Sequence, residues 1–354
     1  MKSKRKLPLA VKILIPVLII LILAVGALVF VQAKLNQIRR VDETDIEKVD
    51  PSQEDFEIDE ELAKEIEENG VEAIDPADVK WNNVDIDVMQ DKDVVNILLI
   101  GQDRREGQGR QRSDSMIICS INKKSNKIIL SSVMRDLYVP IPGYSDNRIN
   151  AAYQFGGMPL LDQVMEESLG VHIDGNIEVD FDGFISAMTE VGNLDIELNQ
   201  AEADYLNKNS VWVEQAGTSA EGWNLQAGVN SMTPEQVLAY SRIRYVGHSD
   251  WERTDRQRRV LMAAFEKLKG QGLTELLAMA DRIMPNLTTD MSNTQIMGYI
   301  YTVLTNNITE IESYRIPVEG TYTNETLRIG MEVLMPDLKA NSEYLQSYIY
   351  GTQQ

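Results

Sequence analysis

The sequence is short of the residues most often used for covalent and zinc chemistry. It has one cysteine, Cys119, so no intramolecular disulfide is possible. Cys119 lies among Met116, Ile117, Ile118 and Ile121 in a predicted strand, and reads as a buried apolar residue rather than a nucleophile. There are only two histidines, His172 and His248, which argues against a His-rich zinc site and against most histidine-based catalysis. The chain lacks a P-loop, a GxGxxG after a strand and a GxSxG, so nucleotide and serine-hydrolase readings lack support. Basic residues are outnumbered, with 34 Lys and Arg against 55 Asp and Glu and a net charge of −21. A nucleic-acid binder shows a basic body, so nucleic acid is not an expected partner.

The charge is unevenly spread. Residues 1–40 carry eight Lys or Arg and no acid. The basic start, residues 1–12, precedes an uncharged apolar run from Ile13 to Val31, roughly long enough to cross a bilayer at ~20 residues. The basic flank places the N-terminus in the cytoplasm and everything after the run outside, as a single-pass anchor in the cell membrane. A cleaved signal peptide is the rival reading, for which the run is long. Residues 41–95 carry 21 acids against four lysines. The segment 32–93 is expected to be a solvated extracellular stalk held extended by like-charge repulsion, with a short helix at Glu60–Glu68.

A folded domain is expected over 94–354. VVNILLIG, from Val94, is a buried strand by run length and composition. SMIICSI and KIILSSV are two strands joined by the turn NKKSN. Helices are expected from Pro159 to Leu169, over DGFISAMTEVG, at about 273–282 and 292–305, and last from about Met331 or Asp337. IEVDF, LDIEL and SYRIPV read as strands. Strands alternating with helices indicate a layered α/β/α fold, with a mixed central sheet because of the hairpin.

Positive charge concentrates in SRIRYVGHSDWERTDRQRR, Ser241 to Arg259. Ser249-Asp-Trp-Glu252 fits a capping box, so a helix is predicted to start at about Asp250. Arg253, Arg256, Gln257, Val260, Leu261, Ala264 and Leu268 share one face of it, and the lower part of that face is apolar. Arg253, Arg256 and Gln257 therefore point inward at a helix N-terminus, where an anion is favoured. A hairpin centred near Lys124-Ser125 sets Asp114 beside Arg135, and Asp103 ends the preceding strand at the same end of the sheet. Two carboxylates among Arg105, Arg112, Arg135, Arg242, Arg244, Arg253, Arg256 and Gln257 suit a phosphate-plus-magnesium site, because Mg²⁺ takes one or two carboxylates plus substrate phosphates. Arginine offers planar, bidentate donors to phosphate oxygens. The same residues would equally serve as a network of structural ion pairs.

The blocks NILLIGQDRR…RSDSM, SSVMRDLYVPIPG, RINAAYQFGG, VDFDGF and AYSRIRYVGHSDWERTDRQRRV, in this order over residues 94–268, resemble the LytR-CpsA-Psr family of cell-envelope proteins of Gram-positive bacteria. An N-terminal anchor followed by an external domain fits the same family. The resemblance implies a phosphotransferase that moves a teichoic-acid or capsular-polysaccharide type glycopolymer from an undecaprenyl-pyrophosphate carrier to peptidoglycan, releasing undecaprenyl phosphate. It implies Mg²⁺, with Mn²⁺ as a substitute, on Asp103 and Asp114. It implies catalytic roles for Arg112, Arg135, Asp250 and Arg253, Asp250 to orient or deprotonate the acceptor hydroxyl. It implies pyrophosphate binding by Arg105, Arg148, Arg242, Arg244 and Gln257. Arg148 replaces the family's usual lysine, so a point donor becomes a fork. Arg258 and Arg259 are expected to face solvent, and Arg256 to face either the ligand or an acidic partner. Two alternative readings fit the same residues: a non-catalytic envelope protein that binds polyprenyl-pyrophosphate or wall polymer, and a polyprenyl-pyrophosphate phosphatase. A transcriptional regulator fits poorly, since no helix-turn-helix is evident.

Overall fold

The computed structural model describes residues 32–351, except 34, 42–45, 82–84, 103, 105–108, 209–222, 245, 248–249, 273–274, 276–277, 280–281, 307 and 309, and except the side chains of Asp250 and Leu304. The expected membrane run, Ile13–Val31, lies outside the described residues, and so does part of the helix expected at 273–282. Among the described residues no helix is long and apolar enough to cross a membrane.

The centre is a seven-stranded mixed sheet. Its members are β1 (Arg39–Arg40), β2 (Val94–Gln102), β3 (Ser113–Asn122), β4 (Lys127–Val133), β7 (Gly175–Val179), β10 (Thr288–Thr289) and β11 (Glu310–Ile316). They run in the order β1-β10-β7-β2-β3-β4-β11. Three two-stranded ribbons surround it: β5 (Tyr138–Val139) with β6 (Asn147–Arg148), β8 (Leu194–Leu198) with β9 (Gly228–Met232), and β12 (Tyr322–Leu327) with β13 (Met331–Pro336). The helices are α1 (Glu60–Asn69), α2 (Asn150–Leu169), α3 (Phe181–Val191), α4 (Gln200–Lys208), α5 (Pro234–Ser241), α6 (Asp250–Lys269), α7 (Asn293–Thr305) and α8 (Leu338–Tyr350).

The sheet is covered on both faces. Leu98, Ile100, Met116 and Ile118 pack with Leu161, Val164 and Met165 of α2 and Leu345 and Ile349 of α8. Val95, Ile97, Ile117 and Ile121 face Leu261, Met262 and Phe265 of α6 and Ile296, Tyr299 and Val303 of α7. This is the expected layered α/β/α arrangement. Cys119 lies within β3, where burial pushes its thiol up to about 12 and keeps it protonated. The hairpin register is as the turn chemistry predicts: Asn122 pairs with Lys127 and Ile117 with Ser132. Continuing it by three residues sets position 114 opposite position 135.

Three expectations need correction. The chain from Met331 to Pro336 is a strand rather than a helix, and the last helix starts after the Asp337 N-cap, whose carboxylate accepts from Ala340 N. The predicted helix at Pro159–Leu169 extends back to Asn150, broken at Gly157, where φ is +68° and the chain turns through a conformation open to glycine. The acidic segment 32–93 does not stand away from the domain where it is described. Leu35 and Ile38 are buried, Ile74 bridges to Leu327 and Met89 to Val171. Apolar residues spaced among the acids anchor it by backbone pairing, and that local pairing outweighs the like-charge repulsion, which ~0.15 M salt screens beyond ~8 Å.

Candidate active site

The start of β3 and the chain leaving β4 bring the first two site residues together. Asp114 stands near the start of β3, and Arg135 follows β4. Arg135 Nη1 donates to Asp114 Oδ1 at 2.8 Å, as the register requires. Arg244 adds its Nη2 at 3.8 Å from the same oxygen. Arg253, in the first turn of α6 and only 3% exposed, reaches the Asp114 carbonyl through Nη2 at 3.4 Å. Gln257, one turn further along α6, accepts from Ser115 Oγ at 2.9 Å. Two arginines therefore converge on one partly exposed carboxylate, and a third on the same residue's carbonyl, at one end of the sheet beside the start of a 20-residue helix.

Arg112 and Arg148 extend the cluster. The β5–β6 ribbon pairs Tyr138 with Arg148. Asp136 then lies 3.6 Å from Arg135 Nε and 3.4 Å from Arg148 Nε, and links the two arginines. Arg148 also donates to the Glu332 carbonyl from Nε and Nη2, at 3.0 and 2.6 Å. Arg112 Nη1 donates to Asn150 Oδ1 at 3.3 Å, at the start of α2. Burial pushes the Arg112 guanidinium below its ordinary value, with Glu57 and Asp55 opposing the shift. Arg242, by contrast, is placed with its guanidinium 4.1 Å over the Phe181 ring. Asp103 and Arg105 lie outside the described residues. So does the side chain of Asp250, although α6 begins at that residue.

Within the arginine-rich segment the structure separates the charge gathered around Asp114 from charge held in other pairs. Arg256 is 1% exposed and paired with Glu202, Nε to Oε1 at 2.8 Å. Its two other nitrogens donate to the carbonyls of Ile243 and Val246, at 3.0 and 2.9 Å. It is a clamp on the loop that carries Arg244. Arg258 is 6% exposed, against the expectation of a solvent-facing side chain. The reason is that α6 is covered on two sides. Val260 and Ala264 pack into a small core with β8 and α5, while Leu261, Met262 and Phe265, on the same side as Arg258, lie on the sheet. Arg259 is half-exposed and paired with Asp255 at 2.8 Å.

Residues missed in the sequence line the neighbouring edge. Glu178, at the end of β7, is buried and accepts from Tyr153 Oη and from Gln102. Arg104 lies 3.2 Å from Glu178 and 3.0 Å from Asp180. Gln102 Oε1 accepts from Gln111 N at 3.0 Å. This network ties Gln102, Arg104 and Gln111 to the end of β7. Its one local signal was the acidic pair in IEVDF.

As to a metal, among the described residues no group of three His, Cys, Asp or Glu side chains could hold an ion. Asp114 still fits one. It is a hard oxygen donor, 32% exposed, next to Ser113, which pairs with Gln102 at the end of β2. Mg²⁺ needs only one or two carboxylates when a phosphate supplies further oxygens.

The LytR_cpsA_psr family model matches residues 52–345. A relative in Oceanobacillus iheyensis, named polyisoprenyl-teichoic acid–peptidoglycan teichoic acid transferase TagU, is 34% identical over 249 residues, covering 66% of this chain and 71% of its own. The regulatory protein MsrR of Staphylococcus aureus strain COL is 24% identical over 259 residues, covering 72% and 74%. A solved LytR-CPS2A-psr family protein, YwtF (TagT) with bound octaprenyl pyrophosphate lipid, shares the fold with a TM-score of 0.54, 22% identity and coverage of 77% and 95%. The family match takes in every strand from Val94 to Pro336 and the whole arginine cluster, so the chain belongs to the LytR-CpsA-Psr family of phosphotransferases.

Proposed function

We propose that this protein transfers a glycopolymer of the teichoic-acid or capsular-polysaccharide type from undecaprenyl pyrophosphate to peptidoglycan, releasing undecaprenyl phosphate. The observation that carries the reading is the convergence of Arg135, Arg244 and Arg253 on Asp114. Four formal charges of mixed sign at a helix start suit a pyrophosphate with a divalent cation better than a structural lattice. The structural pair in this segment, Arg256 with Glu202, is by contrast fully buried. The names of TagU and of the octaprenyl-pyrophosphate-bound relative support the same donor chemistry.

In the reaction the acceptor hydroxyl oxygen attacks the sugar-linked phosphorus. A new O–P bond forms, the bridging P–O bond breaks, and its electron pair leaves with undecaprenyl phosphate. The acceptor proton passes to a base, the role that the family resemblance implies for Asp250 at the start of α6. Arg253 and Arg135 hold the pyrophosphate in line and stabilise the charge that builds on its oxygens, the main task in phosphoryl transfer. Gln257 and Arg244 fix the donor, and Arg112 and Arg148 extend the anion site toward α2. Mg²⁺, held by Asp114 and Asp103, would neutralise phosphate oxygens when bound. The N-terminal apolar run would keep the domain outside, against the membrane that holds the lipid carrier.

Chelation with EDTA is expected to abolish transfer, and added Mg²⁺ to restore it, with Mn²⁺ as a weaker substitute. Asp114→Asn should lower transfer roughly 10²-fold or more, as for loss of one charge-stabilising group. Transfer that persists in EDTA with the variant unimpaired would remove the metal from the mechanism.

A further inference from the structure

The acidic segment that leads into the domain crosses the arginine cluster. It is tied down before and after the crossing. Val49 N donates to the Phe155 carbonyl at 2.9 Å, and Tyr144 Oη to the Val49 carbonyl at 2.8 Å. On the far side Asp59 N donates to the Gly330 carbonyl at 2.9 Å. A Cβ on Gly330 would meet the Asp59 carbonyl oxygen at 2.5 Å, so this close approach needs glycine there. Between the ties, Asn147 Nδ2 donates to the Asp55 carbonyl at 3.3 Å, and so does Arg112 through Nη2. The Asp55 carboxylate is 3.7 Å from Arg112. Glu57 Oε2 lies 3.0 Å from Arg148 Nη1 and 4.0 Å from Arg112 Nε.

Two features mark this as more than packing. Glu57 has a φ of +48°, a left-handed conformation unfavourable for a residue with a Cβ, and it is the residue that bridges the two arginines. The Asp55 and Glu57 side chains are also 61% and 45% exposed. Ion pairs so exposed are solvent-screened and hold a fold weakly. A pyrophosphate offers the same guanidinium groups stronger, bidentate pairing.

We propose that Asp55–Glu57 is a displaceable strap that stands in for the anionic ligand on Arg112 and Arg148, and that a pyrophosphate must push it aside to engage them. The inference rests on the pyrophosphate reading of the site. While closed, the strap lowers the apparent affinity of the site by the fraction of time the site is open. It also keeps two half-buried arginines paired between turnovers.

The test measures binding of inorganic pyrophosphate, with Mg²⁺, to the full-length protein by calorimetry. The wild type is compared with D55N/E57Q and with E67Q/E68Q, a control that removes the same charge from exposed positions on α1. The strap variant is expected to bind about tenfold tighter, the gain from opening a site closed ~90% of the time, and the control within about twofold of wild type. In the wild type, hydrogen exchange at residues 53–58 should accelerate when pyrophosphate saturates. Equal affinity in wild type and strap variant, equal tightening in the control, or unchanged exchange on saturation overturns the strap alone. No pyrophosphate binding by either protein overturns the ligand reading with it.

Discussion

Arg253→Ala should lose glycopolymer transfer by roughly 10²–10³-fold, the usual cost of removing one donor to developing charge, while the fold survives. Arg253 sits in the first turn of α6, 3% exposed, with Nη2 on the Asp114 carbonyl. It is the deepest of the three arginines around Asp114, and the helix start beside it already favours an anion. A truncated side chain leaves a gap that the phosphate oxygens fill with water, so the loss falls on turnover more than on donor affinity. Arg253→Lys keeps the charge but not the planar fork and should recover only part of the activity. Kinetics on the two variants, with circular dichroism as the folding check, decide the matter. Near-wild-type transfer by Arg253→Ala would mean that this side chain faces the interior for packing alone.

The second large effect concerns stability. Glu202→Ala should destabilise the domain by roughly 3–5 kcal/mol, because it leaves the buried Arg256 guanidinium without its counter-charge. Both side chains are almost fully buried, and Glu202 Oε2 also accepts from Asn199 N at the start of α4. Urea denaturation of wild type and variant gives the difference directly. The effect also has a functional echo. Arg256 holds the carbonyls of Ile243 and Val246, on either side of Arg244, so a loosened clamp should weaken donor binding as well. A variant as stable as wild type would show that water or another acid replaces Glu202.

The parts of this site that could be read from the sequence are those set by short-range periodicity. A tight turn and strict alternation fix the β3–β4 register, and with it Asp114 beside Arg135. The 3.6-residue period of α6 turned Arg253 and Arg256 inward. Whether Arg256 met a ligand or an acid stayed open because its partner, Glu202, lies 54 residues away in a segment with no pattern of its own. Arg258 was misplaced for a related reason. One apolar face implies one covered side, but α6 is wedged between two cores. The β12–β13 ribbon was missed because its pairing with the rest of the fold is long-range, Leu334 bridging to Leu137. Composition alone makes the acidic segment look like a stalk because it weighs only the charges, whereas backbone hydrogen bonds hold it in place. Asp103, Arg105 and the Asp250 side chain lie outside the described residues, so their roles rest on the family resemblance.

The central claim is that this cluster transfers a lipid-linked polymer to the wall. The most direct measurement incubates the full-length protein with Mg²⁺, a polyprenyl-pyrophosphate-linked sugar and peptidoglycan fragments, and follows labelled sugar and released polyprenyl phosphate together. The account predicts sugar on peptidoglycan and polyprenyl phosphate in equal amounts, both lost with Arg253→Ala. Tight binding of the lipid with no transfer by the wild type would contradict it, and polyprenyl phosphate released without sugar on peptidoglycan would make the protein a phosphatase instead.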